Sequence, residues 1–329
     1  MNNEDKNEEK TKSGKATLFI ALAAIAVSIA VIVYYLFLYS DTVKELLHIT
    51  AANYIDITDE QLGSAKRLSG KAVYVTLFVS DADSRWDFSK EEDAALRKDI
   101  FGYCHTAADW IEEQAQRYSE NVEFVTPQDE NAPLLYYEPE YDFSVEEGSP
   151  QRRITRTGGV LWDHIEDNID EEDIRNTYGC DSIVYLFFYN NEPDSEYNNS
   201  YAMCVTNIIT DKMYEYCVLF RNDKGGNVLS PSVIAHETLH CFGAPDLYGV
   251  EGWRVCYGVG ENMVAYTREH DPYDIMFEGY DLSGNNTIIQ QVGDITAYYL
   301  DWLKDEKKKA EIIELIRKDD AFRSQFDRK

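Results

Sequence analysis

Basic residues are scarce in this chain. Its 329 residues hold 31 Lys and Arg against 60 Asp and Glu, a formal net charge of −29 at neutral pH. So negative a chain is repelled by phosphate backbones and by anionic lipid, which argues against nucleic acid as a partner and against electrostatic docking on acidic membranes. Internal repeats, a phosphate-cradling glycine loop and a basic patch are all lacking, and Gly225-Gly226 reads as a bend. Cysteine is sparse: Cys104, Cys180, Cys204, Cys217, Cys241 and Cys256 show no C-x-x-C spacing, so they form no thiolate zinc clip. In an oxidising compartment six cysteines permit three disulfides, and Cys204–Cys217, on neighbouring predicted strands, is the first expectation. Free buried thiols are the alternative.

One long stretch lacks charge altogether. Residues 16–40 contain no Asp, Glu, Lys or Arg, and about 20 apolar residues suffice to cross a bilayer as a helix. Tyr34, Tyr35 and Tyr39 cluster at one end, as an interfacial belt would. Lys6, Lys10, Lys12 and Lys15 precede the run, and Lys44 follows it. The positive-inside bias therefore predicts a cytoplasmic tail (1–15), a membrane anchor (16–40) and the rest of the chain outside the cell. The run's end offers no small-x-small cleavage site, so an anchor is favoured over a signal peptide.

Against this background residues 230–246 stand out. They contain His236-Glu237-Thr238-Leu239-His240, and positions four apart share a helix face, so both imidazoles can reach one ion. Ser230 is a suitable N-cap with Pro231 at the first helical position, while Gly243 and Pro245 end the helix. Ile234, Thr238, Cys241 and Phe242 then face a core. Gly243 can turn the chain back with positive φ, bringing Asp246 towards the histidines as a third metal ligand. Zinc held this way would acidify a bound water, and Glu237 would take its proton.

The extended string His236-Glu237-x-x-His240-x-x-Gly243-x-x-Asp246 resembles the zinc motif of metzincin metallopeptidases whose third ligand is Asp. With Leu247 and Tyr248 added, it is similar to the immune inhibitor A type of bacterial secreted peptidase. Pro272-Tyr273-Asp274-Ile275-Met276 resembles that family's Met-turn, with Met276 beneath the metal, although Phe277 stands where a small residue is usual. Residues 295–303 look like the helix that follows. The resemblance implies a membrane-anchored extracellular zinc endopeptidase: His236, His240 and Asp246 as ligands, Glu237 as base, and a peptide or protein as substrate. It also implies an α+β catalytic domain with a twisted mixed sheet, a long helix, the zinc-site helix, the Met-turn and C-terminal helices. Two other readings stand beside it: a non-catalytic zinc-binding adhesion or sensing ectodomain, and a gluzincin-type peptidase using Glu261 or Glu269. Tyr248, Tyr257, Tyr266, Tyr273 and His270 are candidates to stabilise the oxyanion, whereas His48, His105 and His164 show no ligand spacing. Calcium at the acidic runs 167–173 and 192–196 is conceivable without EF-hand spacing to support it.

Along the chain, residues 41–70 read as a stalk and 71–303 as the peptidase domain. Within the latter, strands are expected at 72–79, 121–125, 182–189, 201–209 and 214–220. A long amphipathic helix covers 90–119, an irregular insert 127–158, and a further helix the stretch from Leu161 to Ile174. Residues 304–329 read as a terminal amphipathic helix, packed on the domain or a partner.

Overall fold

The computed structural model describes residues 64–65, 67–82, 84–142, 150–191, 201–206, 213–222, 228–248, 259–279 and 283–326. Among them lie six strands: β1 (Gly70–Val79), β2 (Val122–Val125), β3 (Tyr136–Tyr137), β4 (Ser182–Tyr189), β5 (Tyr201–Thr206) and β6 (Met213–Phe220). Seven helices accompany them: α1 (Glu91–Arg117), α2 (Pro150–Asn168), α3 (Glu171–Tyr178), α4 (Pro231–Cys241), α5 (Glu261–His270), α6 (Asp294–Tyr299) and α7 (Glu306–Phe326). This is a mixed α/β architecture. The sheet runs β2-β1-β4-β6-β5, with β3 also on β1. All pairings are parallel except β5 with β6, so β5 is an antiparallel edge.

Sheet position follows from sequence. β4, Ser-Ile-Val-Tyr-Leu-Phe-Phe-Tyr, is buried at every residue, as a central parallel strand covered on both faces must be. Alternate side chains serve two cores. Tyr74, Phe78, Val184, Leu186, Phe188, Cys217 and Leu219 face α1, α4 and the C-terminal segments. Val75, Leu77, Ile183, Tyr185, Phe187 and Val218 face Leu161 and Ile165 of α2 and Ile174 of α3. Each such large side chain contributes roughly 1.5–3 kcal/mol by leaving water.

α1 spans the first core with Ile100, Phe101, Cys104, Ala107, Trp110 and Ile111 buried. Glu91, Glu92 and Asp93 in its first turn and Arg117 in its last complement the helix dipole. Ser64, Ala65 and Leu68, at the end of the segment read as stalk, are buried. There the Glu215 carboxylate accepts from Ser64 Oγ and the Ala65 N–H, both at 2.8 Å.

Several expectations are corrected. The helix expected between Leu161 and Ile174 is two helices, because the Asp170 side chain accepts from the Asp173 N–H and caps a new one. The insert is less irregular than its composition suggests: Tyr136 and Tyr137 pair with β1, and α2 starts at Pro150. The helix expected over 295–303 stops at Tyr299, where Asp301 takes a left-handed φ of 58° and Trp302 N–H returns to the Ala297 carbonyl. The terminal helix packs on the domain through Ile312 and Ile316. Among the described residues no helix is long and apolar enough to cross a membrane. The run 16–40 lies outside them.

Candidate metal centre

α4 begins as its sequence dictates, with one difference. Pro231 occupies the first turn, but the Ser230 hydroxyl meets Ser232 Oγ at 2.9 Å instead of capping a backbone N–H. The helix is enclosed on every side, with all described positions from Ile234 to Cys241 buried. On its back face Tyr74 OH and Thr238 Oγ1 lie 3.0 Å apart, tying it to β1. Gly243 adopts φ 94°, and Ala244 N–H bonds back to the Leu239 carbonyl. Only glycine takes that conformation without strain, and the turn delivers Asp246 in front of the histidines.

Three donor atoms meet there. His236 Nε2 and His240 Nε2 are 3.1 Å apart, and Asp246 Oδ1 lies 3.3 and 3.2 Å from them. Each imidazole is oriented from behind: His236 Nδ1 donates to the Ile275 carbonyl at 2.9 Å and His240 Nδ1 to the Ala244 carbonyl at 2.7 Å. A carbonyl can only accept, so Nδ1 is protonated in both, and in the neutral rings each Nε2 presents a lone pair. Asp246 Oδ1, buried, receives no hydrogen bond of normal geometry. In the neutral rings, two nitrogen lone pairs and a carboxylate oxygen therefore converge, an arrangement that a proton or a metal cation can satisfy.

The electrostatics favour positive charge at this point. Burial disfavours a charged His236, yet the Asp246 and Glu237 carboxylates outweigh it and lift the ring to about 9. Burial likewise opposes ionisation of Asp246, but the two imidazoles hold its carboxyl well below the usual range. The donor separations of 3.1 to 3.3 Å are close to the edge of about 3.3 Å expected for tetrahedral ligands at about 2.05 Å from zinc. Among the described residues, these three form the group able to hold a metal.

The turn after α5 completes the frame. Met276 is fully buried, and its carbonyl accepts from Leu247 N–H at 2.9 Å, one residue past Asp246. Its neighbour Ile275 orients His236. Asp274, also fully buried, holds the turn by accepting from Met276 N–H at 2.8 Å, Gly293 N–H at 2.7 Å and Thr296 Oγ1 at 2.9 Å. Phe277, the departure from the expected turn, is partly buried against the first core.

Glu237 is buried, and its charge acts on His236. Glu261 and Glu269, the alternative third ligands, are exposed on α5 and belong to no such group. Of the candidate oxyanion groups, Tyr248 lies over His236, its ring near parallel at 6.5 Å. Tyr266 and His270 stack on each other, and Tyr273 is exposed. Tyr257 is outside the described residues. His105 pairs with Thr126 and His164 packs edge-on against Tyr141. The expected Cys204–Cys217 bridge is not formed. Cys204 stands opposite Glu215 in the ladder, and the Cys217 sulfur faces Cys241 at 3.6 Å.

Sequence reasoning missed Gly279. A Cβ there would come 2.8 Å from His236 Nδ1, so this position must be bare for the ring to sit where it does. A glycine three residues past Met276 was the available signal. The chain matches no model of a protein family and no curated protein.

Proposed function

We propose that the protein is a zinc endopeptidase of metzincin type, working on peptide or protein substrates. The observation that carries the reading is the triangle of His236 Nε2, His240 Nε2 and Asp246 Oδ1, with both imidazoles oriented from behind by backbone carbonyls. Two nitrogens and one carboxylate oxygen suit zinc and leave a fourth position for water. Zinc bound there supplies Lewis acidity and lowers the pKa of that water.

The chain's own groups do the rest. Glu237 accepts a proton from the attacking water and returns it to the leaving amine as the peptide bond breaks. Asp246 adds negative charge beside the metal, which makes the water less acidic than three neutral ligands would, so more of the activation falls to Glu237. The Met276 turn holds His236 and the Asp246 segment in register. The parallel sheet with an antiparallel edge, the long α1 and the turn after α5 fit the expected catalytic domain. The charge-free run 16–40 supports, from sequence alone, an anchor that presents this domain outside the cell.

The test is metal analysis of the full chain together with cleavage of a peptide library. Glu237→Gln should keep about one zinc per chain and lower cleavage by roughly 10²–10⁴-fold. Full activity in that variant would overturn the base assignment, and a wild-type chain that takes up no divalent metal would overturn the whole reading.

A further inference from the structure

The back of α4 carries a pair of sulfurs that peptide hydrolysis does not use. Cys241 directly follows His240 and ends the helix, and Cys217 sits within β6 on the face that α4 covers. Their Sγ atoms are 3.6 Å apart, each the other's polar partner. Cys217 is fully buried and Cys241 nearly so, in the core that also contains Ile234, Leu239 and Leu219. Reaching a disulfide length of about 2.05 Å requires the sulfurs to approach by about 1.5 Å.

We infer that Cys217 and Cys241 are joined by a disulfide that pins the C-terminal end of α4 to β6. The oxidant is a dithiol–disulfide oxidase or a small-molecule disulfide such as oxidised glutathione. One cysteine thiolate attacks the oxidant's S–S bond, giving a mixed disulfide and releasing a thiolate. The second cysteine then displaces the remaining sulfur. The two cysteines lose two electrons and two protons, and the oxidant's disulfide becomes two thiols.

Timing follows from burial. Both sulfurs are enclosed once the sheet and α4 have packed, so oxidation occurs before α4 seats, and reductants are shut out afterwards. The bond closes a loop across 24 residues and tethers the segment that leads from His240 into the Gly243 turn. Cys104 of α1 is buried in the same core and close enough to act electrostatically on Cys217, which makes it the competing partner. The inference is independent of the peptidase reading, since the sulfurs lie on the helix face away from the metal group and pair with or without an ion.

The full chain, produced with a glutathione redox couple, is unfolded in guanidinium chloride with iodoacetamide and digested without reduction. The expected result is a peptide pair linked through Cys217 and Cys241, lighter by two hydrogens than its parts and separated by a reductant. Alkylation of both cysteines, or linkage of Cys217 to Cys104 or Cys204, overturns the proposal. A second measurement uses Cys241→Ala, with each chain refolded from guanidinium chloride with and without reductant: reduction should lower the wild-type Tm by roughly 6–12 °C more than that of the variant. Equal responses overturn the tether. Both measurements run on metal-free protein, so failure of the peptidase reading would not be mistaken for failure of this one.

Discussion

Gly279 lies flat against the imidazole of His236, so close that a single added methyl would sit 2.8 Å from Nδ1. That nitrogen is the one held by the Ile275 carbonyl. The residue beneath the ring therefore helps to aim its far nitrogen.

Gly279→Ala should push the ring off the Ile275 carbonyl and misplace Nε2. Loss of such a supporting contact typically weakens metal binding about 10–100-fold. Competition with a chelating dye measures this, with far-UV circular dichroism expected to stay unchanged. An unaltered zinc affinity would show that the ring can yield without cost.

The third ligand can be separated from its rivals by substitution. Asp246→Ala should abolish stoichiometric zinc at micromolar metal, whereas Glu261→Ala and Glu269→Ala, on exposed positions of α5, should retain it. Zinc binding should also raise Tm in wild type, because a ligand at about 1,000 times its Kd stabilises the folded state by about 4 kcal/mol. That increment should vanish in Asp246→Ala.

Asp274 makes stability depend on pH. Burial pushes its carboxyl from 3.8 up to about 7, against the opposing pull of its donors Met276 N–H, Thr296 Oγ1 and Gly293 N–H. Between these values the folded chain binds a proton that the unfolded chain has lost, so this contribution is full below pH about 4 and fades as pH rises through about 7. Asp274→Asn removes the titration. In urea unfolding, the wild type should lose stability relative to that variant on going from pH 4 to pH 8, on the order of 2–4 kcal/mol. Parallel pH profiles would contradict the assignment.

Asp319 reaches from α7 to cap α5. One carboxylate oxygen accepts from Asn262 N–H and Asn262 Nδ2 at 3.0 and 2.6 Å, and the other from Met263 N–H at 3.2 Å. Asp319→Ala should cost about 1–3 kcal/mol, since those donors are left unpaired beside a buried segment. The urea midpoint reads the change, and zinc content should not fall with it.

Much of the site was legible in the chain because its information is local. Periodicity alone puts His236 and His240 on one helix face, and a glycine at 243 announces the left-handed turn that returns Asp246. The central strand at 182–189 was equally plain, since eight consecutive buried residues leave no polar face to read. Helix ends were less so: Asp170 reads as one more acid in an acidic run, yet its side chain accepts from Asp173 N–H and starts a second helix. Cys204 and Cys217 lie on adjacent strands, as expected, but the ladder register sets Cys204 opposite Glu215.

What the sequence determined by itself is therefore the inventory and its spacing: which nitrogens and oxygens exist, one helical turn and one glycine bend apart. What only the tertiary structure decided is their orientation. The Ile275 and Ala244 carbonyls select the imidazole tautomer, Gly279 makes room for a ring, and Leu247 ties the Asp246 segment to Met276. Except for Ala244 and Leu247, which follow the helix directly, these partners lie about thirty or more residues away, and backbone carbonyls carry no side-chain signature. Contacts of that kind come into being only when the chain has folded over itself.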